Sequence, residues 1–444
     1  MSLFGAMNTA ISGLSAQSAA FSNISDNVAN SQTVGYKRVD TNFIDYLTTS
    51  NATQNNSGAV VTTPDYVNNV QGTITQTDNP LGLAIAGQGF FAVSQQDGEV
   101  NNLPTFSSQQ YYTRAGDFQM DKNGYLVNSA GMFLNGWPVN SQTGVVNQNT
   151  LQPIQVTQTV YNPVPTSTVT LSANLPATPA SGTATPTSPI SSDIDVYDAL
   201  GTMHTITLNW VQTAQDTWSV QVSSPDDTAA ADRGTADVDF GPTTSGNPVP
   251  SGTVGQLQAD ATDPGTVVTS PYAANTAATV QFTTNFGSGN QTITINLGTY
   301  GQTNGVTQYA GTQYNLRGLT QNGVPPGAFQ SVTTQTNGDI VVNYDNGQSR
   351  IIGQVPVVTF NDPNQLQRQD GQAFTASNNS GTPLAEAPGV NGAGDLVTQS
   401  VESSNVDIAT EFSNLIVAQQ AYSANAKMVT TANQMLQTTI DMKQ

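Results

Sequence analysis

Apolar residues at the two ends of this 444-residue chain recur at intervals of seven. Towards the C-terminus one row is Val401, Ile408, Leu415, Tyr422, Val429 and Leu436. A second row, four residues behind it, is Asn405, Phe412, Gln419, Ala426, Asn433 and Ile440. Seven-residue spacing draws each row into one stripe along a helix, the pattern of helices that wind around a partner. Near the N-terminus Met7, Leu14, Phe21 and Val28 form a row, and Phe4, Ile11, Ser18 and Ser25 another. The pattern predicts a helix over 2–30 that pairs as a coiled coil with one over 401–444, the apolar members of these rows forming the assembly interface. Asn405, Gln419 and Asn433 place amides in that seam, which weakens it and fixes its register. Gly5 and Gly13 each weaken the first helix by roughly 1 kcal/mol relative to Ala. A helix with so thin a stripe is marginal by itself, so its ordering is expected to accompany packing against a partner.

Between the ends the period changes to two. Residues 31–80 and 377–400 are rich in Thr, Asn, Gln, Ala and Gly and read as extended linkers. The run LGLAIAGQGFFAV over 81–93 reads as a tight turn leading into a buried strand. Asn123-Gly124, Gly131 and Asn135-Gly136 punctuate short alternating runs, the signal of a β-meander. Pro and small polar residues crowd 162–190, which is boundary chemistry. Further on, Ile206, Leu208 and Trp210 alternate with polar neighbours, as do Ile293, Ile295 and Leu297, and Val342 and Tyr344 lead into the turn Asp345-Asn346-Gly347. The expected fold is mainly β with terminal α-helices. Its domains are 1–30 with 401–444 (helical), 81–165 with 351–376 (inner β), and an inserted outer β-domain over 166–350, of one or two subdomains.

Charge narrows the partners. Charged residues make up 9% of the chain, and thirty acids against ten bases leave a formal charge of −20. Nucleic acid and anionic membrane are disfavoured, because phosphate binding needs clustered Lys and Arg. There is no cysteine and a single histidine, His204, which removes thiol chemistry and Cys/His zinc sites. No segment is apolar enough for a membrane helix, and the N-terminus lacks a basic and apolar signal-peptide pattern, so export without a cleaved signal is expected. Gly87-Gln88-Gly89 lacks the third glycine of a dinucleotide loop. Asp117, Asp121 and Asn123 depart from calcium-loop spacing and lack its closing glutamate. His204, with Asp198 six residues before it, has no Ser or Cys partner in view. A two-carboxylate glycosidase could draw on Asp193, Asp195, Asp198, Asp226, Asp227, Asp237 and Asp239; with only four glutamates and no aromatic-rich acidic cleft, that reading is weak. No catalytic, cofactor or metal site is predicted. A surface β-protein oligomerised through its terminal helices is the other non-enzyme reading.

The motifs together carry a resemblance. SGLSAQSAAFSNISDNVANSQTVGYKR near the N-terminus is similar to the signature of the bacterial flagellar rod-and-hook axial proteins, with Ser12, Gly13, Asn27, Asn30, Gly35, Tyr36 and Lys37 on its positions. LAIAGQGFFAV, YTRAGDFQMDKNGYLVNSAGMFLNGW and the C-terminal VESSNVDIATEFSNLIVAQQAYSANAKMVTTANQML resemble the family's core and closing helix. VYDALGTMHTITLNWV and NGDIVVNYDNGQSRIIGQVPVVTFNDPNQL resemble the inserted domain of its hook branch, which a distal-rod subunit lacks at this size. The resemblance implies a non-enzymatic subunit of an extracellular helical tube that joins rod to filament and transmits torque. It implies contacts with itself, the distal rod, the hook cap, the hook–filament junction protein and the flagellar type III export apparatus, and no cofactor.

Overall fold

The computed structural model describes residues 3–50, 55–140, 144–177, 188–260, 267–311 and 313–442. The chain divides into two compact units: Met1–Gln158 with Gln330–Asn343 and Ser349–Gln444, and Thr159–Phe329 with Tyr344–Gln348.

In the first unit, helix α1 runs Leu3–Ala29. The chain turns back into an antiparallel hairpin of β1 (Val39–Ser50) and β2 (Asn55–Tyr66), paired in register Val39↔Tyr66 through Ile44↔Val61. The stretch read from sequence as linker is therefore a long ribbon, and it lies along α1. Ser12 Oγ accepts from the Val60 N–H at 3.1 Å, and Asn23 Nδ2 donates to Thr41 Oγ1 at 2.8 Å. Pro64 is tolerated in β2 because that strand is an edge.

The inner β body follows. Its main sheet sets Ser349–Gln354, Met132–Pro138, Phe91–Val100, Tyr111–Thr113, Ala373–Thr375 and Gln367–Gln369 side by side. One core beneath it gathers Phe90, Tyr112, Val358, Phe360, Leu366 and Phe374, with Phe90 edge-on to Phe360 and Phe374 at centroid distances of 6.0 and 5.6 Å. Gly89, at φ +125°, crosses so close that a Cβ there would stand 2.2 Å from Val357 Cγ1. The tight turn is thus a packing requirement. Asp121 Oδ1 accepts from the Asn123 and Tyr125 N–H groups at 2.9 and 2.7 Å, a turn-closing role. Three short pairs stitch in segments read as linkers: Ile74–Gln76 with Ser400–Glu402, Leu83–Ala86 with Asp395–Thr398, and Val357–Thr359 with Leu384–Glu386.

The second unit contains two five-stranded sheets. One is a meander of Ile190–Tyr197, Met203–Ala214, Thr217–Ser223, Asp232–Phe240 and Val254–Ala259; the other is ordered Val268–Thr269, Ala277–Asn285, Asn290–Thr299, Thr168–Asn174, Asn315–Gln321. Both feed one core, in which Val169 and Leu171 join Ile206, Leu208, Trp210, Val238, Phe282 and Ile295. The period-two pattern alone puts these side chains inside. The outer region is one sandwich, not two subdomains, and it begins at Thr159. A five-residue helix α2, Gly241–Ser245, interrupts the meander.

The chain closes in the first unit with helix α3, Ile408–Asp441. Asp407 caps it, its side chain accepting from the Ala409 and Thr410 N–H groups at 2.9 and 3.3 Å. Val401 and Asn405 are therefore not helical: Val401 is in a strand and Asn405 in the loop before the cap. Among the described residues, no helix is long and apolar enough to cross a membrane.

Candidate assembly interface

α1 and α3 lie antiparallel, in a register fixed by four rungs. Asn27 Nδ2 donates to Glu411 Oε1 at 3.2 Å. Ala20 and Ala418 line one groove, and Ala6 and Ala432 line another. Between them Gly13 faces Asn425, whose Nδ2 would be 2.9 Å from any Cβ at position 13. Ala6, Gly13, Ala20 and Asn27 are spaced by seven, and so are Glu411, Ala418, Asn425 and Ala432. Ala6, Ala20, Ala418 and Ala432 keep the row small, and at Gly13 the facing Asn425 side chain leaves no room for a Cβ. Leu415, Tyr422, Val429 and Leu436 flank this row at the complementary heptad positions, giving a 4-3 alternation from 411 to 436. The Phe21 and Tyr422 rings meet edge to face, centroids 6.4 Å apart.

The two heptad rows expected from sequence thus fare differently. Leu415, Val429 and Leu436 are half-buried; Tyr422 keeps its rim exposed while touching Phe21. Phe412 and Ile440 point outward, at 52% and 60% exposure, and Gln419 and Asn433 are exposed as well. The amides expected to set register are not in the seam. In α1, Met7, Leu14, Phe21 and Val28 are half-buried, and Phe4 and Ile11 are exposed. α1's deepest positions are Ala10, Ala16, Ala20, Ile24 and Asn27, because this helix has two neighbours, α3 and the β1–β2 ribbon.

The seam ends on a dense polar base. Asn27, 1% exposed, donates also to the Val39 carbonyl at 3.0 Å and accepts from the Val39 N–H and the Tyr36 hydroxyl. Burial pushes the Glu411 carboxyl up from its ordinary range; the Asn27 hydrogen bond opposes this and the Asp40 charge adds to it. Asn405 ties the chain ends together. Its Oδ1 accepts from the Arg38 N–H at 2.7 Å, and its Nδ2 donates to the Val67 and Val70 carbonyls at 3.0 and 3.1 Å.

Beside it, Glu402 joins two cations. Lys37 Nζ donates to Glu402 Oε1 at 2.6 Å and to the Val70 carbonyl at 2.7 Å. Arg114 Nη1 donates to Glu402 Oε2 at 2.8 Å and to the Ile85 carbonyl at 3.1 Å, and its Nη2 to the Gly87 carbonyl at 2.7 Å. The Gly72 N–H reaches Glu402 Oε1 at 2.8 Å, and the Gly35 N–H reaches the Glu402 carbonyl at 2.8 Å. All three charged side chains are at most 4% exposed. Burial pulls the Lys37 ammonium down to about 8, against the raising effect of Glu402 and with a lowering contribution from Arg114. Gly35, at φ +70°, has no room for a side chain: a Cβ would be 2.3 Å from the Ala115 nitrogen. Tyr36 is covered by the Arg368 guanidinium, 4.3 Å above its ring. Asn30 closes α1, its Nδ2 donating to the Asp26 carbonyl at 2.8 Å.

Sequence reading missed Glu402, Glu411, Arg114 and the small row. One signal was available: two of the chain's four glutamates flank the start of a helix otherwise nearly free of charge.

About 100° around α3 from the seam, Val417, Ala421, Ala424, Met428, Thr431, Met435, Thr438 and Met442 repeat the 4-3 spacing one residue before each seam position, and Ala424, Met428, Thr431 and Met435 border the groove beside Ala6. Val417, Met428, Met435 and Met442 are 65%, 54%, 55% and 78% exposed.

In the second unit, His204 is built into the sandwich. Its ring stacks on Phe286 at 4.0 Å, Nδ1 lies 3.0 Å from Asp226 Oδ2, and Nε2 lies 3.8 Å from Asp198 Oδ2. Asp198 also accepts from the Leu200 and Thr202 N–H groups.

Paired end helices at the two ends of the chain with nested β units between them in sequence, the polar residues of the ends spent on joining them, define a flagellar axial protein of the basal-body type. Four family descriptions match in chain order: "Flagella basal body rod protein" over 7–37, "Flagellar hook protein FlgE/F/G D1 domain" over 84–169, "Flagellar basal body protein FlaE D2 domain" over 166–324, and "Flagellar basal body rod FlgEFG protein C-terminal" over 397–442. The chain is 32% identical over 446 residues to the flagellar hook protein FlgE of Brucella suis, covering all of both chains. It is 29% identical to that of Salmonella typhimurium, covering 98% of this chain and 99% of the other, and 28% identical to that of Escherichia coli, covering 99% and 100%. The chain belongs to the flagellar hook protein family, and it is a structural subunit of the bacterial flagellar hook.

Proposed function

We propose that the outer stripe of α3, Val417 to Met442, is the surface by which one subunit takes the next in the hook polymer. The observation that carries this reading is the repetition of the seam's own 4-3 spacing one residue earlier, on a face left exposed. A heptad stripe fits another helix, and a soluble chain seldom leaves such a row uncovered. The outward knobs on α1, Phe4 and Ile11, and on α3, Phe412 and Ile440, supply further apolar contacts of the same kind. A contact between two different faces of identical copies is heterologous, and where its rotation does not close into a ring it builds an open helix.

On this reading the tube joins rod to filament and carries torque while bending. Leu415 and Leu436, together with the small row, hold each helix pair; the polar face of the meander, with Asp193, Asp195, Thr205 and Thr207, supplies weak lateral contacts that re-pair as the tube bends. Residues 1–25 carry no charge, and a wall of Ser, Asn and Gln would not trap a passing chain. We place the distal rod, hook cap, hook–filament junction protein and export apparatus as its neighbours, outside the cell body, with no catalytic role.

Electron microscopy under polymerising conditions tests the central point. Wild-type protein is expected to form straight or curved tubes, and the double variant Met428→Glu, Met435→Glu to stay monodisperse with its β units folded. Tubes of normal shape from that variant would overturn the reading.

A further inference from the structure

Seven asparagines in this chain are followed directly by glycine. At such a step the glycine nitrogen can attack the side-chain amide carbon, since no Cβ on the second residue hinders the approach. Attack needs two freedoms: a side chain able to swing over the main chain, and a following N–H that no acceptor holds. The fold removes one or both at six of the seven. Asn135 is 1% exposed and bonded to Ser94. Asn304 donates to Thr299 Oγ1 at 3.1 Å and accepts from the Thr299 N–H at 3.0 Å. Asn322 spans Ser167 Oγ and the Thr168 N–H, both at 2.9 Å. Asn337 is tied at both ends to Asp339, at 2.8 and 3.1 Å. Asn346 binds the Pro325 carbonyl and the Gln348 N–H at 2.8 and 3.0 Å. At Asn123 the Gly124 N–H is taken by the Asp121 carbonyl at 3.1 Å.

Asn391 differs on both counts. It lies in the turn Val390–Ala393, closed by the Ala393 N–H on the Val390 carbonyl at 2.9 Å. Asn391 and Gly392 stand at φ +51° and +86°, the positive pair that a two-residue type I′ turn requires. Both are exposed, and a Cβ built on Gly392 would meet nothing within 4 Å. Among the described residues, none hydrogen-bonds the Asn391 side chain or the Gly392 N–H.

We infer that Asn391 is this subunit's site of spontaneous deamidation, a modification that turns a neutral turn acidic and reroutes the main chain in part of the product. The Gly392 nitrogen bonds to Asn391 Cγ, the Cγ–Nδ2 bond breaks, and ammonia leaves with the Gly392 proton. Water then opens the five-membered imide. Opening at Cγ gives aspartate; opening at the main-chain carbonyl gives isoaspartate, with the backbone running through Cγ. One water enters and one ammonia leaves, with no change of oxidation state. Either product adds one negative charge to the formal −20. Isoaspartate also inserts a methylene into the main chain of a two-residue turn. Next to it the Gly394 N–H donates to the Gln88 carbonyl at 2.8 Å, and the Gly389 N–H to the Gly394 carbonyl at 3.1 Å. These bonds seat the turn on the strand pair Leu83–Ala86 with Asp395–Thr398, so the isoaspartate form loosens there first.

Peptide mass spectrometry on the full-length monomer, aged in mildly alkaline buffer with aspartate and isoaspartate forms separated, tests the site. Asn391 is expected to convert at least tenfold faster than any of the other six. In the chain unfolded by guanidinium the seven rates should converge to within about threefold, because only local sequence then sets them. A folded-state rate at Asn391 no higher than at another Asn-Gly step would overturn the inference. So would an equal lead in the unfolded chain, since the fold would then not select the site. Asn391→Gly keeps the positive φ of the turn and should remove the acidic satellite that aged wild type acquires on native isoelectric focusing; a satellite that persists would overturn the assignment. In the separated isoaspartate form the Gly394 amide is expected to exchange at least tenfold faster while Val93 keeps its protection. Unchanged Gly394 protection would overturn the proposed effect on the strand pair.

Discussion

The outer sandwich and the helix pair are written in equally regular patterns, yet only one of them is completed within the chain. Along Met203–Ala214 every second residue, Ile206, Leu208 and Trp210, is buried to 1% or less. Along α3 the period is just as regular, and the large apolar residues remain half-buried or exposed. A strand offers two faces, and a second sheet of the same unit covers the inner one. α3 offers two heptad stripes, and α1 covers one of them. Regularity of pattern therefore reports that a surface will be covered, not that its own chain will cover it.

The comparison can be broken most severely at the seam. Replacing Leu415 and Leu436 together with Asp is expected to abolish polymerisation, scored by electron microscopy, while thermal unfolding of the β units changes by no more than about 0.5 kcal/mol. Loss of the β fold in that variant would show that the helices support the body. Next in size, Trp210→Ala should cost the second unit about 3–5 kcal/mol in denaturant unfolding, because the cavity cannot be refilled from solvent-side residues. Tubes built from that variant would still show intact helix pairing.

Titration sharpens the contrast between the units. Lys37 is held at about 8 in the fold against an ordinary 10.5, so the unfolded chain binds more protons between those values. Stability of the first unit should therefore rise with pH from about 8 to 10.5, by on the order of 3 kcal/mol, and Lys37→Met should flatten that rise. Asp227 behaves oppositely. Burial alone would raise it, but hydrogen bonds from the Thr284 hydroxyl and the Ala229, Asn285 and Ala230 N–H groups hold it at about 2. Its contribution is present above the unfolded value near 3.8 and is lost as pH falls towards 2, so acid should weaken the second unit by on the order of 2 kcal/mol. Equilibrium unfolding followed separately for each unit across pH checks both signs.

The sandwich was legible because strand alternation involves large residues at short range. The helix pair was half legible: Leu415, Tyr422, Val429 and Leu436 stand out, but their true companions are Glu411, Ala418, Asn425 and Ala432, which carry no apolar signal. Phe412 and Ile440 carried a stronger one and drew the second row to the wrong side. The β1–β2 ribbon escaped because its Thr- and Asn-rich strands lie on a helix and not on a core. The base was legible only in part: Gly35, Tyr36, Lys37 and Asn405 stand in sequence motifs, but Lys37 and Arg114 reach Glu402 across 365 and 288 residues, and no local pattern pairs them. It gives Gly35, Tyr36 and Lys37 their physical reason.

The central claim is that α3's outer stripe is covered only by a neighbouring subunit. Methionine oxidation by peroxide, quantified by mass spectrometry in monomer and in assembled tubes, tests it most directly, with buried Met132 as the internal reference. Met428 and Met435 are expected to oxidise readily in the monomer and at least tenfold more slowly in the tube. Equal oxidation in both states would contradict the claim.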